Sequence, residues 1–90
     1  MMKLNNKDIT RLTEIRIYFR EPPYSFKLSG YARLQVEESI GILRKYPNIP
    51  ATLIERMEAF MPLLIESENN IPETMELMKR FAVLLNEINR

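Results

Sequence analysis

The side chains of this chain that could perform acid–base chemistry are two closely spaced pairs of glutamates. Glu37 is followed by Glu38, and the segment "ESE" contributes Glu66 and Glu68. Paired carboxylates can transfer protons or bind a hard cation. Adjacent residues of an α-helix, however, point about 100° apart, so Glu37 and Glu38 would not converge on one atom. We interpret both pairs as parts of solvated surfaces.

The other residue types that catalysis usually needs are missing. The sequence has no histidine and no cysteine, which removes the commonest general base, the strongest nucleophile, the conventional zinc ligands and disulfide bonds. The serines have no recognisable neighbouring base, and neither Gly30 nor Gly41 belongs to a phosphate-binding loop pattern. We therefore expect a protein that is not an enzyme, with no catalytic residue, cofactor, metal ion or small-molecule substrate.

An aromatic-rich stretch is the strongest candidate for binding another macromolecule. Five of the eight aromatic residues lie between positions 18 and 31, where they alternate with basic side chains. Tyrosine and arginine are common anchors of protein interfaces, and aromatic rings beside basic groups also suit stacking on nucleic-acid bases. Alternatively, Phe19 and Phe26 attach this stretch to the core. The predicted partner-binding residues are Tyr18, Arg20, Tyr24, Phe26, Lys27 and Tyr31.

The charges are distributed unevenly along the chain. Residues 1–50 contain nine Lys/Arg and five Asp/Glu, whereas residues 51–90 contain four Lys/Arg and seven Glu. A basic half can bind nucleic acid, or it can complement the acidic half within or between chains. A DNA-binding regulator is thus the alternative hypothesis, with possible nucleic-acid contacts at Lys3, Lys7, Arg11, Arg16 and Arg20.

The phrase Asn-Ile-Pro occurs twice, at 48–50 and at 70–72, and we interpret it as a helix start used twice. Asparagine is a favoured N-cap, and proline is tolerated in the first helical turn. Asn48 and Asn70 are therefore predicted caps of two amphipathic helices, 48–66 and 70–89, which pack as an antiparallel hairpin. Pro62 is predicted to lie on the outer face of the first helix and to bend it or divide it in two.

Two further helices are expected upstream. One begins near Ser29, a predicted N-cap, and stops before Pro47; an extended connector, 21–29, precedes it. The first begins at the Asn5/Asn6 cap, although "EIRIYF" also alternates like a strand and could form a β-hairpin with "PYSFKL". The predicted fold is all-α: one small four-helix domain spanning residues 1–90.

The last helix is apolar over about half of its circumference, more than one neighbouring helix requires. Small domains have thin cores, and oligomerisation is a common way of stabilising them. We therefore expect a homodimer, with a dimer or core face formed by Met75, Met78, Phe81, Leu85 and Ile88. The sequence contains no signal-peptide pattern and no apolar run long enough to span a membrane, which predicts a cytoplasmic protein without membrane contact.

These observations predict a non-enzymatic helical protein-interaction module. It would act stoichiometrically, as an adaptor, inhibitor or regulator of another macromolecule, whose identity the sequence does not encode. The DNA-binding regulator is the main alternative, and a structural subunit of a larger assembly is a third hypothesis.

Overall fold

The computed structural model describes residues 4–88, which fold as an all-α domain. Its helices are α1 (Asn6–Arg20), α2 (Leu28–Leu43), α3 (Ala51–Glu58), α4 (Phe60–Glu66) and α5 (Ile71–Asn86). Because α3 and α4 are the two halves of one bent helix, the fold is the predicted four-helix domain. Residues 6–20 are helical throughout, so the β-hairpin alternative for the N-terminal segment is wrong.

The first helix begins where the sequence predicts. The side-chain oxygen of Asn5 accepts a hydrogen bond of 2.8 Å from the backbone N–H of Asp8, which satisfies one of the donors left free at a helix start. The apolar positions Leu12, Ile15 and Phe19 are all buried, as the 3.6-residue period requires. This stripe packs most extensively against α5.

The two Asn-Ile-Pro phrases behave differently. Asn70 caps α5, because its side-chain oxygen accepts a 3.1 Å hydrogen bond from the N–H of Glu73. The prediction for Asn48 is wrong, since α3 begins only at Ala51 and Pro50 occupies the capping position. The N–H of Ile49 bonds the carbonyl of Tyr46, so the residues between them form a turn before the helix.

The second helix also begins earlier than predicted. It starts at Leu28 with Lys27 in the capping position, so Ser29 is not the N-cap and the connector is shortened to residues 21–27. Ser29 is instead buried inside α2. Pro62 does lie on an exposed position, and the helix is interrupted at Ala59. Proline has no N–H to donate to the carbonyl four residues earlier, which accounts for the bend.

The centre of the core is a cluster of three phenylalanines. Phe81 of α5 lies 5.3 Å from Phe19 and 5.2 Å from Phe60, measured between ring centroids. Helix α5 is thus covered by α1 on one side and by α4 on the other, which explains its wide apolar arc within a single chain. Of the predicted dimer or core face, four residues are buried and Met75 is half-buried: the buried ones are Met78, Phe81, Leu85 and Ile88.

A buried cluster of hydroxyl groups joins the α4–α5 turn to α2. The carbonyl oxygen of Leu64 accepts hydrogen bonds from Ser29 Oγ at 2.6 Å and from Ser67 Oγ at 3.1 Å. Thr74 Oγ1 donates to the carbonyl of Ser67 at 2.8 Å and lies 2.7 Å from its hydroxyl. Carbonyl groups at the end of a helix lack helical partners, so these hydroxyls satisfy a buried acceptor and fix α4 beside α2.

Candidate protein-interaction surface

An open groove runs between α2 and α4. Its volume is about 610 Å³, and we call it the α2–α4 groove. Its walls are mainly apolar. The residues that line it include Phe26, Lys27, Gly30, Tyr31, Leu34, Glu37, Met61 and Ile65.

Several large apolar side chains around this groove are exposed to solvent. The exposed fractions are 85% for Phe26, 71% for Tyr24, 66% for Leu34, 52% for Ile65 and 45% for Tyr31. The rings of Tyr24 and Phe26 meet edge to face with centroids 6.1 Å apart. We call these five residues the exposed apolar surface. Contiguous apolar surface of this kind marks interaction sites in soluble domains.

The groove has a fixed shape because a hydrogen bond and ion pairs connect its two walls. The buried hydrogen bond from Ser29, a residue that lines the groove, to Leu64 joins α2 to α4. Arg33 pairs with Glu68 at 3.4 Å on the rim. At the other end, Arg44 pairs with Glu58 at 2.7 Å. Both ion pairs join the basic half of the chain to the acidic half, so part of the charge asymmetry serves complementarity within the chain.

Two charged groups of the groove are left without an ion-pair partner among residues 4–88. Lys27 and Glu37 both line the groove, and both are exposed. They are ten positions apart, which corresponds to about 15 Å along a helix. Their opposite charges are therefore available to a bound partner.

The structure separates the predicted partner-binding residues into two groups. Tyr24, Phe26, Lys27 and Tyr31 lie at the groove or beside it. Tyr18 is half-buried against the core, where burial raises the pKa of its hydroxyl, and Arg20 is exposed at the end of α1. The alternative that phenylalanines attach the connector to the core is correct for Phe19 and wrong for Phe26, because Phe26 is 85% exposed.

Sequence reasoning missed Leu34 and Ile65 as parts of this surface. Leu34 lies between Arg33 and the acidic Glu37–Glu38 pair, about 160° around the helix from the buried Val36. A single leucine on an otherwise polar helix face was the available signal. Ile65 follows the buried Leu64 directly, so only the packing of α4 decides which of the two faces solvent.

The predicted nucleic-acid contacts do not form one basic face. Lys3 lies outside the described residues, and Lys7 and Arg20 are exposed. Arg11 is bound by both carboxylate oxygens of Glu38, at 2.5 and 2.8 Å, and this contact raises the pKa of the guanidinium. The Nε atom of Arg16 is buried without a hydrogen-bond partner. Along α1, the pair Lys7 and Arg11 and the pair Arg16 and Arg20 point to opposite sides.

The carboxylate of Asp8 belongs to a separate polar cluster that joins α1 to the turn after α2. It accepts hydrogen bonds from the hydroxyl of Tyr46 and, at 3.2 Å, from the ammonium of Lys45. The Tyr46 hydroxyl in turn accepts the backbone N–H of Asn5 at 3.1 Å. The hydrogen bond from Tyr46, followed by that from Lys45, lowers the pKa of Asp8. Every member of the cluster is occupied by another, which is typical of a structural contact.

Within residues 4–88, no three carboxylates come close enough to hold a metal ion. None of the helices described for this chain is both long and apolar enough to cross a membrane. Comparisons with protein-family models, with curated proteins and with solved structures find no match to the chain.

Proposed function

We propose that this chain is a helical protein-interaction module that binds another protein through its exposed apolar surface. The observation that carries the proposal is the exposure of Phe26, 85%, whereas Phe19 and Phe81 are buried and Phe60 is half-buried. Leu34 and Ile65 extend the same surface across the α2–α4 groove. Burying apolar surface releases about 25 cal/mol per Å², so a partner that covers these side chains gains affinity directly.

The chemistry of the surface supports a protein as the partner. Large aromatic side chains with a few charged groups at the edge are typical of interface cores and their rims. The groove has a continuous apolar wall on two helices, which suits a partner helix that inserts apolar side chains. The module would act stoichiometrically in the cytoplasm, as an adaptor, inhibitor or regulator, and without catalysis.

The DNA hypothesis has weaker support. Arg11 already has a carboxylate partner, and the remaining basic residues of α1 point to opposite sides of the helix. Nonspecific DNA binding needs several cations that reach phosphates together.

Site-specific photo-crosslinking tests the proposal. A benzophenone amino acid replaces Phe26 in one variant and Val83 in a matched control, since Val83 is 69% exposed on the outer face of α5. We expect a discrete crosslinked product from position 26 and none from position 83 when the variants are expressed in the native cell. The mass of the product identifies the partner as a second copy or as a different protein. Absence of any product at position 26, or equal products at both positions, would contradict the proposal.

A further inference from the structure

The exposed face of α2 carries a regular series of side chains. Lys27, Gly30, Leu34, Glu37 and Gly41 are separated by three, four, three and four residues, and this spacing places them along one line of a helix. All of them line the α2–α4 groove or its continuation toward Arg44. The line combines one large apolar side chain, two unpaired charges of opposite sign and two positions without a side chain.

This line is complementary to itself when a second copy runs in the opposite direction. In an antiparallel pair of identical helices, residues whose numbers have the same midpoint face each other. Lys27 and Glu37 have their midpoint at position 32, and so do Gly30 and Leu34. One two-fold axis therefore brings both pairs together, each of them twice, as an isologous interface requires.

We infer that the chain forms a homodimer in which α2 of a second copy lies antiparallel in the α2–α4 groove, with the two-fold axis at the level of residue 32. This inference rests on the proposed function, because it names one occupant of the exposed apolar surface. It moves the expected self-association from the predicted dimer face of α5, whose residues are buried or half-buried in the core, to α2.

In the packing contact of this interface, the side chain of Leu34 lies over Gly30 of the other copy. Leu34 is 66% exposed, so no side chain of residues 4–88 covers it. Apart from its chain neighbours and the backbone of its own helix, a Cβ atom built on Gly30 would meet no atom of residues 4–88 within 4 Å, which leaves open space above this position. Gly30 is the third residue of α2, and glycine is a weaker helix former than alanine. The described part of the chain has room for a side chain at position 30, and a helix that approaches closely would use this space.

The electrostatic contact of this interface is an ion pair between Lys27 and Glu37 of the other copy. Both groups are exposed and lack an ion-pair partner among the residues the structure describes. One alternative register is disfavoured by the same residues. If Gly30 faced Gly41, the two-fold axis would move along the helix. Lys27 would then face Arg44, which places two positive charges together. Leu34 would face Glu37, which places a carboxylate on an apolar side chain.

The interface does not use the whole exposed apolar surface. The facing segment runs from Lys27 to Glu37, so Tyr24 and Phe26 lie before its start, at the two ends of the helix pair. A dimer would thus present two symmetry-related copies of the Tyr24–Phe26 ring pair for a further protein. Self-association and partner binding are compatible on this arrangement.

Sedimentation equilibrium over a concentration series tests the inference with charge-exchange variants. The unmodified chain should be a dimer. Lys27→Glu or Glu37→Lys alone should weaken the dimer about tenfold or more, and the double variant should restore it, because exchanged charges still attract across the axis. Lys79→Glu is the matched control: it changes the net charge equally on an exposed position of α5 and should leave the dimer intact.

A second set of variants tests the packing contact. Gly30→Leu fills the open space and should give a monomer that keeps the helical circular dichroism of the unmodified chain, because the described residues leave room for the new side chain. Gly30→Leu combined with Leu34→Gly exchanges the large and the small position and should recover dimerisation.

Two results would overturn the inference: an unmodified chain that is monomeric throughout the series, or a dimer that neither Gly30→Leu nor Lys27→Glu weakens. Failure of the dimer is separable from failure of the proposed function. If the chain is monomeric and position 26 still crosslinks to a different protein, the interaction module stands and only the self-association falls.

Discussion

The hydroxyl of Ser29 donates a 2.6 Å hydrogen bond to the carbonyl oxygen of Leu64, 35 residues later in the chain. Both residues are buried, and the bond joins α2 to the end of α4 at the α2–α4 groove, which Ser29 lines. The distance between the two walls of the groove therefore depends on a contact that makes no use of the exposed surface.

We expect Ser29→Ala to destabilise the domain by about 1 kcal/mol, because the Leu64 carbonyl would keep only the longer bond from Ser67. Urea unfolding followed by circular dichroism measures the change. Ser25→Ala is the control: the Ser25 hydroxyl accepts only an exposed backbone N–H, from Lys27, so its loss should cost less. Equal effects of the two substitutions would contradict a structural role for the buried bond.

Acid should destabilise the domain through the cluster around Asp8. The hydrogen bond from Tyr46 and then that from Lys45 lower the pKa of Asp8 below its usual value of 3.8 in the folded state. A carboxyl group whose folded pKa is lowered stabilises the fold at pH values above its unfolded pKa. That contribution is lost as the pH falls through the unfolded pKa toward the folded one.

The measurement is the urea midpoint as a function of pH between neutral and strongly acidic solution. Tyr46→Phe removes the largest cause of the shift, so it should lower stability at neutral pH and flatten the acid limb. Arg11 lowers the pKa of Glu38 in the same direction, so Asp8→Asn should retain the part of the acid dependence that belongs to Glu38. If Asp8→Asn loses stability at acidic pH to the same extent as the unmodified chain, groups other than Asp8 cause the whole acid dependence.

A charged side chain introduced into the core should unfold the domain, whether the chain is a monomer or a dimer. Leu85 is 1% exposed, so Leu85→Asp would bury a carboxylate with no partner, at a cost of several kcal/mol against a total stability of about 5–15 kcal/mol. Val83, two residues earlier on the same helix, is 69% exposed, and Val83→Asp should remain folded. Circular dichroism melting distinguishes them; a folded Leu85→Asp variant would mean that this face of α5 is not core.

Fluorescence anisotropy of a labelled generic DNA duplex tests the alternative function. We expect no binding at physiological salt, because Arg11 is neutralised by Glu38 and the basic residues of α1 are divided between two sides. Binding that falls steeply with salt, and that Lys7→Ala and Arg20→Ala both weaken, would instead favour the DNA-binding regulator.

The sequence alone determined the helices and much of their boundaries. The Asn5 and Asn70 caps, the Leu12–Ile15–Phe19 stripe and the exposed Pro62 follow from hydrogen bonding and periodicity within a few residues. The repeated Asn-Ile-Pro phrase predicted a helix cap correctly at Asn70 and wrongly at Asn48. The turn between Tyr46 and Ile49 delays the helix start to Ala51.

Only the tertiary structure decided what covers each apolar face. From the sequence, the wide apolar arc of α5 could be covered either by a second chain or by α1 and α4 of the same chain. The phenylalanine cluster around Phe81 shows that α1 and α4 cover it. Likewise, nothing local distinguishes the buried Phe19 from Phe26, or the buried Leu64 from Ile65. Periodicity fixes which residues share a face, but burial depends on contacts between distant segments, and those contacts leave no pattern within either segment.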